Sequence, residues 1–123
     1  MLADTTNRDA LVPHDWPFLP SRYYLQPDGP LAVGLTSPQG LLPFPLTNPW
    51  DDTPENAYAY FWTGIRATSW ASSTMRTCQG WSSNASTGVT GAIGIAGRVD
   101  GSAIGTSTSA SCSIPQRLLC VEQ

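Results

Sequence analysis

Apolar residues in this chain come in short bursts, and prolines set their length. Residues 1 to 11, with Leu2, Ala3, Ala10 and Leu11, read as the end of a helix. From there Pro13, Pro17, Pro20, Pro27, Pro30, Pro38, Pro43, Pro45, Pro49 and Pro54 follow in close succession. Proline fixes φ and lacks an N–H, so this stretch admits only short strands joined by turns. Tyr23-Tyr24-Leu25 and Leu31-Ala32-Val33 flank Gln26-Pro27-Asp28-Gly29-Pro30 and predict a hairpin around a Pro-Asp-Gly turn. The stretch Leu41 to Leu46 reads as an irregular buried segment. Ala57 to Ile65, rich in aromatics and bounded by turn formers, is the best strand, and Arg117 to Glu122 is a second. Between them, more than half of the residues from Ser82 to Ser113 are Ser, Thr or Gly. That stretch predicts a long loop laid over a core built elsewhere, anchored by Ile93, Ile95, Val99 and Ile104.

Four glycines in this stretch fall three apart: Gly88, Gly91, Gly94 and Gly97. Collagen needs a long Pro-rich repeat, and this run is short and free of proline, so a permissive loop is the reading. The stretch also lacks the GxGxxG spacing and the preceding strand of a nucleotide cradle.

Composition narrows the class. A chain of 123 residues suits one domain, taken here as 1–123. Hydrophobic residues make up 41% and charged residues 12%, which excludes a highly charged disordered tail. Eleven glycines and eleven prolines argue against a helical bundle. No apolar run approaches the roughly 20 residues of a membrane-crossing helix, so membrane insertion is not expected. The six basic residues are scattered arginines, the net charge is -3 and the pI is about 4.7. Without clustered cations, nucleic acid and heparin-like polyanions are poor partners. The first residues carry no basic segment followed by an apolar one, and so no signal peptide is read there.

Three cysteines, Cys78, Cys112 and Cys120, leave at least one thiol free or paired outside the chain; taken alone, they fit three reduced thiols equally well. Their surroundings form an ordered series: Phe61-Trp62-Thr63-Gly64, Cys78-Gln79-Gly80-Trp81, Thr87-Gly88, Ser111-Cys112, and Leu119-Cys120-Val121-Glu122. This series resembles the C-terminal half of the endostatin-type C-type-lectin-like domain and of related bacterial surface-protein domains. The bacterial domains are also similar around Asp15-Trp16, the Tyr-rich segment before Asp28-Gly29, and Phe44-Pro45-Leu46-Thr47-Asn48. The resemblance implies an α+β fold with a small twisted antiparallel sheet, long loops and little helix. It also implies a Cys78–Cys112 disulfide, worth about 3–4 kcal/mol in the chain-entropy model. The family pairs its last cysteine with one well upstream that this sequence lacks. Cys120 is therefore expected to be unpaired or bonded to a partner chain, one that supplies the N-terminal part of the fold.

Several residues invite a site reading. Gln26-Pro27-Asp28 matches a calcium- and galactose-selecting triplet of sugar-binding lectins, but calcium wants six to eight oxygens and Pro-Asp-Gly is turn chemistry. His14 is the only histidine and has no companions for a zinc site, so neither metal nor cofactor is expected. His14-Asp15 with a serine lacks a nucleophile elbow, and Asp51 and Asp52 are the remaining candidate acids; no catalytic residue is assigned. Asn84-Ala85-Ser86 is a glycosylation sequon, meaningful only on a eukaryotic secretory route. Trp62 and Trp81 are expected in the core. Trp16, Trp50 and Trp70 lie in more polar text, where exposed aromatics bind sugars or proteins, and burial is the equal alternative.

Together these features predict a non-catalytic recognition or adhesion module at a bacterial surface or outside the cell. It would bind a protein or glycan through its loop face, roughly residues 82–110. The alternative is a structural domain completing a fibre or multi-chain assembly.

Overall fold

The computed structural model describes residues 16–121 apart from 28, 54–55, 57, 67–69, 72, 74 and 86. The helix expected over residues 1 to 11, together with His14 and Asp15, lies outside the described residues. The described chain is mostly β, in two small sheets. Strands β1 (Tyr23–Leu25) and β2 (Ala32–Leu35) form the predicted hairpin, antiparallel and closed by the Gln26 amide donating to the Leu31 carbonyl at 2.9 Å. The second sheet holds β3 (Tyr60–Trp62), β4 (Thr90–Ile95), β5 (Ser109–Ser111) and β6 (Arg117–Leu118), in the order β5-β4-β3-β6. One helical turn, α1 (Cys78–Trp81), and a 3-10 turn at Gly101–Ala103 complete the elements.

Several expectations need correction. The sheet is mixed rather than antiparallel, because β6 runs parallel to β3. A side-chain pattern marks which residues extend, not the direction in which they are paired. The strand expected over Ala57 to Ile65 is confined to Tyr60–Trp62, and the C-terminal strand to Arg117–Leu118.

The largest correction concerns the stretch taken as a loop. Residues 90–95 form the longest strand among the described residues and sit inside the sheet, with Gly91 through Gly94 buried. A ladder is held by backbone groups, so a strand can form with little side-chain mass if its neighbours fill the space. Here they do. Gly94 lies opposite Phe61, and a Cβ added there would come within 2.8 Å of the Phe61 ring and 2.7 Å of the Ala103 carbonyl oxygen. One added at Gly91 would meet the Trp62 ring at 2.5 Å. Two of the four spaced glycines, Gly91 and Gly94, therefore record aromatic packing across the sheet, whereas a Cβ at Gly88 would meet nothing.

A disulfide joins Cys78 to Cys112, with Cα atoms 5.7 Å apart, the pairing that the resemblance implies. It ties α1 to the end of β5. The α1 turn is left-handed, with φ of 49° at Cys78, 55° at Gln79, 67° at Gly80 and 65° at Trp81. That conformation costs roughly 1–2 kcal/mol per non-glycine residue, so it persists only where other contacts hold it. The Cys78 bridge and the Trp81 ring, edge-on to Trp62 at 5.8 Å, do so. Trp62 and Trp81 are both half-buried, not fully in the core as expected.

The core itself comes largely from the proline-rich half. Phe18, Val33, Leu42, Leu46, Trp50 and Trp70 pack with Phe61, Ile65, Ala103 and Ile104. Phe18 is central, with Tyr24 edge-on at 4.9 Å, Trp70 at 5.7 Å and Trp50 stacked at 6.1 Å. Irregular backbone leaves carbonyls without ladder partners, and indole N–H groups take them. Trp16 donates to Gly40, Trp50 to Ala103 and Trp70 to Leu42, all at 2.9–3.0 Å.

Candidate functional site

The hairpin has one covered face. Tyr24 and Val33 turn toward the core, while Tyr23, Leu25 and Leu35 stay exposed, Tyr23 at 69% and Leu25 at 57%. Strand alternation puts Tyr23 and Leu25 on one face, and the register sets Leu35 directly opposite Tyr23, so the three form an apolar surface. In a two-stranded sheet nothing on the second face hides such residues.

Beside this surface runs a groove of about 650 Å³, a size typical of ligand clefts. One lip is Arg22 to Pro27, the other Leu119-Cys120-Val121, and Phe18, Leu19 and Trp50 complete it. The C-terminal lip follows β6, the outer strand of the larger sheet. Cys120 is an exposed free thiol on that lip. Among the described residues Arg22 is the only charged one of the lining, and its guanidinium has no ion pair there.

Trp16, Trp50 and Trp70 do converge, but around Phe18 inside the molecule rather than on a surface. Trp50 is 6% exposed, Trp70 4%, and Trp16 half-buried. The exposure considered for them is corrected by their indole bonds, which fix them inward; only Trp50 reaches the groove, as part of its floor. Gln26 uses its side-chain amide to hold the Pro49 carbonyl at 2.9 Å, a structural tie within the turn region. Asp28 lies outside the described residues.

Of the candidate acids, Asp51 is committed to local hydrogen bonds. Partial burial pushes the Asp51 carboxyl up. Hydrogen bonds from the Thr53 hydroxyl and amide and from Asn56, with the nearby Arg117 charge, outweigh this and leave it below its ordinary value. Arg117 also donates to the Asn56 side-chain oxygen, so the network links this turn to β6. The Ser102 hydroxyl and amide lower Asp100 in the same way. Neither carboxylate is poised near neutral pH as a general acid or base. Asp100 borders a second, polar cleft with Tyr60, Arg98, Thr106 and Thr108. Among the described residues, no group of three or more His, Cys, Asp or Glu converges to hold a metal ion.

Sequence reading passed over Tyr23, Leu25 and Arg22. The signal was present in Tyr23-Tyr24-Leu25: three large apolar residues in succession cannot all face one side of a strand. A family model described as "Protein of unknown function (DUF1554)" matches residues 1–99. The chain belongs to this family. The DUF1554 match takes in β1 through β4 and the Arg22 lip of the groove; β5, β6, Cys112 and the Cys120 lip follow it. The DUF1554 description carries no mention of lectins or endostatin. No curated protein and no solved structure matches the chain.

Proposed function

We propose that this chain is a non-catalytic recognition module, C-type-lectin-like in fold, that holds a segment of another polypeptide in the groove between Arg22–Pro27 and Leu119–Val121. The observation that carries this reading is the groove, with exposed Tyr23, Leu25 and Leu35 gathered beside it. Contiguous apolar surface around a cleft is the mark of an interaction site in a soluble domain. The Cys78–Cys112 bridge supports an oxidising compartment, which fits a secreted protein or a bacterial cell surface. A recognition role needs no reacting group, consistent with carboxylates that are spent on local hydrogen bonds. The residue 82–110 loop face is set aside as the binding surface, since its centre is buried strand.

The structural alternative, a domain completing a multi-chain assembly, uses the same groove with a permanent occupant. The open outer edge of β6 and the exposed Cys120 favour it. Arrays of random peptides and of glycans, probed with the intact disulfide-bonded chain, test the proposal. Peptide binding that Leu25→Asp abolishes, with cooperative unfolding retained, is the expected result. Binding to glycans alone, or peptide binding indifferent to Leu25, contradicts it.

A further inference from the structure

Resting on that reading, we infer that the occupant of the groove is an extended strand, bonded through its main chain to the outer edge of β1 and carrying a carboxylate that seats on Arg22. The first lip is an unpaired strand edge. Arg22 directs its amide to the Thr36 hydroxyl and its carbonyl to the Thr36 amide, and Gln26 directs its amide to Leu31, all toward β2. Antiparallel ladders alternate, so Tyr23 and Leu25 turn their N–H and C=O groups the other way. Among the described residues no strand stands on that side, since β1 pairs with β2 alone.

An unpaired strand edge along the slot favours an extended occupant over a helix, because a helix satisfies its own main chain and leaves the edge unmet. Leu25, Leu119 and Val121 then meet alternate side chains of the inserted strand, which favours β-branched and aromatic residues there.

Charge supplies the selectivity. The molecule is acidic overall, yet among the described residues no carboxylate lines the groove beside Arg22. A planar guanidinium prefers a bidentate carboxylate, so an Asp or Glu of the occupant, or its C-terminal carboxylate, is the matching group.

A random 12-residue peptide library displayed on phage, selected on the intact chain, is the probe. Enrichment of peptides alternating apolar residues around one Asp or Glu is expected. Synthetic copies should lose about tenfold or more in affinity toward Arg22→Ala, with partial return in Arg22→Lys. Methylation of alternate peptide amides should abolish binding, while methylation of the intervening ones should not. Arg22 is exposed, so the variants keep the fold. Peptides that bind Arg22→Ala equally well, or tolerate methylation everywhere, overturn this inference and leave the groove as a polypeptide site. Concentration-dependent dimerisation abolished by Leu25→Asp overturns it in favour of a second copy of this chain. If no peptide is enriched, both readings fall.

Discussion

The two sheets solve opposite problems. In the larger one, β4 is buried along Gly91–Gly94 although its residues carry almost no side-chain mass; Trp62 and Phe61 fill the space across the strand, and a disulfide pins the neighbourhood. In the hairpin, side-chain mass exceeds what the fold covers, and Tyr23, Leu25 and Leu35 remain in solvent. Burial without bulk needs aromatic neighbours and a covalent tie. Bulk without burial leaves a surface free for something else. The contrast separates the part of the molecule that is built for stability from the part that is available for contact.

The largest effect on this division is expected from removing a ring of the core cluster that both sheets border. Trp70→Ala removes the ring packed on Trp16, Phe18 and Phe44 and the bond to the Leu42 carbonyl. It should cost about 3–5 kcal/mol in urea unfolding. Replacing Cys78 and Cys112 together by Ala should cost about 3–4 kcal/mol, because the bridge spans 34 residues of sequence. The near-ultraviolet signal of the Trp62–Trp81 pair should weaken as the left-handed turn relaxes. A loss under about 1 kcal/mol would mean that the glycine-rich strand holds itself.

How much of this was legible follows from how local each cause is. The hairpin was readable because Pro-Asp-Gly turn chemistry acts within a few residues. The strand at residues 90–95 was hidden, since its stabilising side chains belong to Phe61 and Trp62 on another strand. Tryptophan burial was hidden for a similar reason: the carbonyls that fix Trp16, Trp50 and Trp70 lie 24, 53 and 28 residues away. The cysteine pairing was accessible only through the order of motifs around it. The groove needed the fold, because its lips come from residues almost a hundred positions apart along the chain.

Smaller effects sharpen the comparison. The Asp51 carboxyl is held below its ordinary value of 3.8 in the folded state. Its contribution is therefore present above that value and lost as pH falls through the lower, folded one. Asp51→Asn should cost about 1 kcal/mol at neutral pH and flatten the acid limb of the stability profile. An unchanged acid limb would remove Asp51 from the link between the 51–56 turn and β6. Leu25→Asp, at the exposed face, should change unfolding stability by less than about 0.5 kcal/mol in either direction. A loss several times larger would show that the hairpin surface is part of the core after all.

Amide hydrogen exchange tests the central claim most directly, comparing the free chain with the chain bound to a peptide selected from the 12-residue library. Slowed exchange is expected at Tyr23 and Leu25, with residues 90–95 unchanged. Protection centred on the cleft of Tyr60, Arg98 and Asp100, with none along the groove lips, would contradict it.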